Sequence, residues 1–149
     1  MRTIFFDMDG TIANLYAIEN WLEMLRAFDE TPYAEAKVML NMSLLARLLN
    51  RAQAIGYKIE IISWLSKCPN DEYDEKVTNA KINWLNKHLT SVKWDKINIV
   101  AYGTPKSSYI HSKEDVLFDD EENNRNEWQG IAYEPNEIIR VLKELLILC

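Results

Sequence analysis

The chain has 149 residues, 48% of them apolar and 27% charged, and a net charge of -6. That length suits one domain with a substantial core. The acidic balance and the lack of any Lys/Arg cluster argue against a surface built to grip long DNA or RNA, which draws most of its affinity from neutralised phosphates. A small phosphorylated ligand stays open, because it needs only a metal and one or two cations.

No apolar run is long enough to span a bilayer. The start, Met1-Arg2-Thr3 and a short apolar run, lacks the apolar segment of a signal peptide. A cytoplasmic protein without a membrane partner is expected. Cys68 and Cys149 are far apart, and His88 and His111 show no ligand spacing with them, so two free thiols are expected.

Thr3-Ile4-Phe5-Phe6 reads as a buried strand stopped by Asp7-Met8-Asp9-Gly10. Trp21, Leu22, Leu25 and Phe28 fall at helical spacing within residues 18–28, and Asp29-Glu30-Thr31-Pro32 breaks that helix. Further helices are expected over 33–40 and 42–55, the latter capped by Gly56. Residues 57–63 read as a second buried strand, 68–73 as a polar loop and 74–89 as an amphipathic helix. Strands are expected over 96–101, 115–118 and 130–133. A last helix opens near Pro135 and runs to Leu148, its leucines facing the sheet.

Short apolar strands alternating with helices predict a three-layer α/β, Rossmann-like parallel sheet covered on both faces. One domain is expected over 1–149, with a small helical cap inserted over roughly 15–45. In such sheets ligands sit at the carboxyl ends of the strands. That rule selects Asp7 and Asp9, Ser63, the stretch Gly103 to Lys106, and Asp119 with Asp120.

These residues can transfer a phosphoryl group. A carboxylate at a strand tip, Asp7, can attack phosphorus, and Asp9 can serve as general acid and then base. Gly10 permits the sharp turn and Thr11 can brace the loop. Asp119 and Asp120 repel each other unless a cation is present, and with Asp7 and a backbone carbonyl they form an all-oxygen site suited to Mg²⁺. Ser63 can donate to the phosphate, and Lys81 and Lys106 are both candidates for the lysine that offsets its charge.

Phe6-Asp7-Met8-Asp9-Gly10-Thr11, Ile61-Ile62-Ser63, a lysine and Leu117-Phe118-Asp119-Asp120 resemble the four ordered motifs of the haloacid-dehalogenase (HAD) superfamily of phosphohydrolases. Receiver domains carry similar residue types in the reverse order. Within the superfamily the chain is similar to the 5'(3')-deoxyribonucleotidases, on Ile12-Ala13 after the first motif, on Lys81-Ile82-Asn83-Trp84-Leu85-Asn86-Lys87, and on Trp128 downstream of the acid pair. The resemblance implies an aspartyl-phosphate at Asp7. It also implies Mg²⁺ held by Asp7, the Asp9 carbonyl and Asp120 with Asp119 near, and phosphate held by Ser63, Lys81 or Lys106, and the Gly10-Thr11 loop. It further implies a nucleoside monophosphate or another small phosphomonoester as substrate.

The chain departs from that subfamily in two places. Leu15 stands where a nucleotide-contacting Phe is usual, and the cap is short. Two other functions remain: a phosphatase of a phosphorylated macromolecule, and a binding module that kept the fold without turnover. Trp21, Phe28 and Tyr33 could stack on a base, although their spacing fits packing better. Asn123, in the polar stretch after the acid pair, is a candidate neighbour of the metal.

Overall fold

The computed structural model describes residues 2–147. Cys149, and Leu148 of the final leucine run, lie outside them. The elements run in chain order β1 (Thr3–Phe6), β2 (Ala13–Asn14), α1 (Trp21–Arg26), α2 (Thr31–Glu35), β3 (Lys37–Val38), α3 (Met42–Ala54), β4 (Lys58–Trp64), α4 (Asp71–His88), β5 (Lys96–Val100), β6 (Val116–Phe118), α5 (Glu122–Glu127), β7 (Ile131–Tyr133) and α6 (Ile138–Ile147). Short 3-10 turns cover Leu15–Ala17, Lys106–Tyr109 and Pro135–Glu137. No helix among the described residues is long and apolar enough to cross a membrane.

β5, β4, β1, β6 and β7 lie in that order in one sheet whose neighbours all pair in parallel. This is the expected α/β arrangement. β1 is central, with Phe6 opposite Ile61 on one side and Phe118 on the other. Ile4, Phe5 and Phe6 are fully buried, as a strand covered on both faces requires. Each Phe buried this way contributes about 1.5–3 kcal/mol. Ile4, Phe6, Ile61 and Phe118 pack against Leu45 and Leu49 of α3, Trp84 and Leu85 of α4, and Val141 and Leu142 of α6. Phe5, Ile62 and Leu117 face the other way, onto Trp128, Tyr109 and Ile110. The second face is therefore covered by a turn and a loop more than by long helices.

Strand order reverses at β1, because the chain crosses to β4 on one side and later to β6 on the other. The crevice at their carboxyl ends is the ligand position that this topology provides.

Four boundaries differ from expectation. The first helix is only Trp21–Arg26, since Asn20 (φ 62°) and Phe28 (φ 57°) are left-handed at its ends. Trp21 and Leu25 are half-buried against Leu15, Tyr33 and Tyr73, whereas Leu22 and, beyond the helix, Phe28 are exposed. The expected helix over 33–40 is instead α2, opened by Pro32 in its first turn and by the Asp29 carboxylate, which accepts from the Thr31 N–H (2.9 Å) and hydroxyl (2.6 Å). The chain then enters β3, which pairs antiparallel with β2. Two-residue strands carry no readable alternation. Finally, 68–73 is only partly loop. Asn70 caps α4 by accepting from the Tyr73 N–H, and Asp71, Glu72 and Asp74 suit the positive end of the helix.

Residues 13–38 thus form two short helices between two short paired strands. α4 holds them in place: Trp84 donates its indole N–H to the Ala36 carbonyl (2.7 Å), Tyr73 its hydroxyl to the Asp29 carbonyl (2.9 Å), and Leu15 and Tyr33 pack on Val77.

Candidate active site

Asp7 leaves β1 with its N–H still bonded to the Phe118 carbonyl (3.0 Å), so the sheet fixes its backbone. The next residues wind around the Met8 carbonyl, which accepts from the N–H groups of Thr11, Ile12 and Ala13. Met8 is buried beneath this turn and anchors it.

Gly10 has φ +79°, and a Cβ there would overlap the Asp120 carboxylate and press on Tyr16 (3.0 Å). Gly10→Ala is therefore expected to push Asp120 aside and to weaken divalent-metal affinity about 10- to 100-fold, as loss of ligand support does elsewhere. Isothermal titration of Mg²⁺ into both proteins checks this, and equal affinities would contradict it.

Asp7 is nearly buried. Its Oδ1 accepts from Lys106 Nζ (2.9 Å) and its Oδ2 from the Thr11 hydroxyl (3.0 Å). Thr11 is a brace: its oxygen also accepts the Asp120 N–H (3.2 Å), tying the β1 loop to the β6 loop. Lys106 reaches this point because the 3-10 turn starts directly after Pro105. Its second bond goes to Asp119 Oδ2 (2.6 Å). Burial opposes the ammonium charge, but Asp7 and Asp119 outweigh it and hold Lys106 above the usual lysine range.

Lys81 occupies a different place. Val77, Lys81 and Leu85 share one face of α4, and Lys81 is buried with them. Its ammonium donates to Asp9 Oδ2 (2.9 Å), Ser63 Oγ (2.5 Å) and the Trp64 carbonyl (2.8 Å), which uses all three N–H groups. It also lies 5.0 Å from the Tyr33 ring centroid. Ser63 is fully buried behind it. Burial raises the Asp9 pKa, and Lys81 partly offsets the rise. Lys106 is thus the lysine beside Asp7, while Lys81 is the lysine beside Asp9.

Asp7, Asp119 and Asp120 each offer an oxygen, and all three lie within 4.8 Å of one another. The donor set fits a hard divalent cation such as Mg²⁺. Asp119 has little left to give: Oδ2 accepts from Lys106 and Asn124 Nδ2 (3.2 Å), and Oδ1 from the Glu121 N–H (2.9 Å). Asp120 makes a long contact with the Thr11 hydroxyl (3.5 Å) and stands beside Asp7, which leaves its carboxylate less occupied than that of Asp119. Asn124 on α5 holds this end of the site. Asn123, the candidate of the sequence, is exposed, because the short helix turns it away from the acids.

Burial and then the charge of Asp7 raise Asp120 to about 8, and the same causes raise Asp119 to about 6. Carboxylates raised on folding stabilise the fold below their unfolded pKa near 4, and that contribution is lost as pH climbs through the folded values. A bound cation opposes the loss, and protons compete with it. The melting temperature gained by adding Mg²⁺ over EDTA should therefore widen from about pH 5 to about pH 8. A gap independent of pH would contradict the arrangement.

Above Asp7 and Asp9 opens a cleft of about 230 Å³. Trp21 and Tyr33 line it, and so do Tyr16, Trp64 and Tyr102, which sequence reasoning missed. Phe28 does not; it packs edge-on against Tyr73.

No family model and no curated protein matches the sequence. Solved structures do. The chain is similar to D,D-heptose 1,7-bisphosphate phosphatase from Burkholderia thailandensis, with 16% identity, TM-score 0.50, 85% of this chain and 70% of that chain. It is also similar to a chain of the Pnkp1/Rnl/Hen1 complex, with 15% identity, TM-score 0.54, 89% of this chain but 44% of that one. At such identities the likeness is one of fold. It shows the expected α/β fold and does not reach the deoxyribonucleotidase subfamily.

Proposed function

We propose that this protein is a Mg²⁺-dependent phosphomonoester hydrolase that works through an aspartyl-phosphate on Asp7. One observation carries the reading: a nearly buried carboxylate at the tip of the central strand, gripped by Lys106 and Thr11, stands among Asp119 and Asp120 at the floor of a cleft. A carboxylate so placed has a nucleophile's position and a cationic neighbour for the charge of an incoming phosphate.

In the proposed mechanism an Asp7 oxygen attacks phosphorus and the bond to the leaving oxygen breaks. Asp9, its pKa raised by burial, gives its proton to the departing alkoxide. It then takes a proton from the water that attacks the acyl phosphate. Inorganic phosphate leaves and the Asp7 carboxylate is restored. Lys106 stays beside Asp7 and neutralises phosphoryl oxygens. Lys81 holds Asp9 in place, and Ser63 supports Lys81. Mg²⁺, held by Asp7, the Asp9 carbonyl and Asp120, would offset the charge that builds on phosphate.

The aromatic cleft favours a nucleoside monophosphate over a sugar phosphate. The reading of a phosphorylated nucleic-acid end draws on the small cap, which leaves the site open, and the net charge of -6 opposes it. A Mg²⁺ phosphatase screen over nucleotides, sugar phosphates, phosphopeptides and 5'- or 3'-phosphorylated oligonucleotides separates these. Turnover of nucleotides is expected. A response only to sugar phosphates would remove the nucleotide reading and leave the chemistry. Turnover that survives EDTA would remove the chemistry.

A further inference from the structure

The wall of the cleft on the sheet side has an order of its own. Trp64 closes β4, one residue past Ser63, and Tyr102 follows β5. Their ring centroids are 5.0 Å apart. The Trp64 indole N–H donates to the Thr104 carbonyl (2.9 Å), and Gly103 at φ +84° turns the loop so that this carbonyl arrives. The first ring is therefore fixed. Lys106 Nζ, already on Asp7, lies 5.3 Å from the Trp64 centroid. At the far end Lys67 Nζ lies 5.9 Å from the Tyr102 centroid.

Two cations thus bracket an aromatic strip, and they are the two cations that line the cleft. One end belongs to the scissile phosphate. The other has no assigned task. Tyr102 is 49% exposed, and Lys67 is exposed and makes no ion pair among the described residues. A lysine without an acidic partner, at the mouth of a cleft lined by Asp7, Asp9, Asp120 and Glu121, is suited to a second anion on the ligand. An exposed ring beside it is suited to a flat face. Tyr16 and Trp21, which line the same cleft, meet edge to face at 5.0 Å and add aromatic surface for that flat group.

We infer that Trp64, Tyr102 and Lys67 form a leaving-group subsite. It accepts a phosphomonoester whose leaving group carries an aromatic ring and, beyond the ring, a second anionic group. This rests on the reading that Asp7 holds the scissile phosphate, and it adds the shape and charge of the remainder of the substrate.

Three probes separate the parts: glycerol phosphate has no ring, phenyl phosphate has a ring, and 4-carboxyphenyl phosphate has a ring and a distal carboxylate. Each is assayed with Mg²⁺ on the wild type, Tyr102→Ala and Lys67→Gln, with melting curves to confirm folding. Tyr102→Ala should cost the two ring substrates about 3- to 10-fold more in kcat/KM than it costs glycerol phosphate, chiefly in KM. Lys67→Gln should cost 4-carboxyphenyl phosphate about 2- to 5-fold more than phenyl phosphate. Equal losses on all three probes, or none, overturn the subsite while the hydrolase reading stands. If the wild type turns over no probe, the nucleotide screen still decides the hydrolase reading, and binding decides the subsite. Quenching of tryptophan fluorescence by 4-carboxyphenyl phosphate that weakens in Tyr102→Ala and Lys67→Gln retains it; quenching that is absent or equal in all three proteins overturns it.

Discussion

Asparagine in place of Asp7 should lower phosphomonoester turnover by at least about 10³-fold while leaving the protein folded. The amide keeps the shape of the carboxylate but cannot attack phosphorus. The substitution also removes one of three acids crowded around a single lysine. In the metal-free protein Asp7 raises the pKa of both Asp119 and Asp120 by its charge, after burial. Asp120 should therefore titrate lower in Asp7→Asn. The metal-free variant should melt no lower than the wild type at about pH 8, where unpaired carboxylates cost most. Loss of activity without loss of stability identifies a residue held in place for chemistry. Activity assays and melting curves on one preparation test both halves. A variant that retains turnover would contradict the assignment of Asp7.

Lys106→Met should behave in the opposite way, losing stability as well as activity. Lys106 is buried and bonded to two buried carboxylates, so its removal leaves Asp7 and Asp119 uncompensated. Breaking a buried pair by removing one partner costs about 3–5 kcal/mol. The lysine pKa is raised on folding, so its contribution is fully present below the unfolded value near 10.5 and is lost only in strongly alkaline solution. In the ordinary range the pH dependence of the loss comes from the carboxylates. Protonating them removes the uncompensated charge, so the loss should be smaller at about pH 5 than at about pH 8. Turnover should fall about 10²- to 10³-fold, the usual effect of removing one donor to a charged transition state. Urea unfolding at the two pH values checks the first part. A variant as stable as the wild type would contradict the ion-pair arrangement.

The parts of this molecule that could be read from sequence are those where chemistry interrupts a run of apolar residues. Thr3-Ile4-Phe5-Phe6 stopped by Asp7, and Val116-Leu117-Phe118 stopped by Asp119, mark central parallel strands and their exits together. Lys81 was legible as a candidate lysine through the resemblance of Lys81-Ile82-Asn83-Trp84-Leu85-Asn86-Lys87 to a family motif. Its partners were not: its ammonium donates to Asp9, Ser63 and the Trp64 carbonyl, which only the fold brings together. Lys106 follows Gly103-Thr104-Pro105, a sequence that signals a turn and gives no direction, so only the fold could bring it under β1. Asn124 took the place expected of Asn123 because a six-residue helix has no readable phase. Trp64 and Tyr102 were missed because an aromatic residue next to a strand reads as core, and only the geometry of the strand exits places them in the cleft. The two-residue strands β2 and β3 fall below the length at which alternation carries information.

The most direct test of the account is to look for the phosphoryl group on Asp7. The protein is mixed with p-nitrophenyl phosphate and Mg²⁺, quenched in acid within the first turnover, and its peptides are examined by mass spectrometry. A phosphoryl group on the peptide that contains Asp7, removed by hydroxylamine and absent from Asp7→Asn, is the predicted result. Release of p-nitrophenol with the phosphoryl group on another residue, or on none, would contradict it.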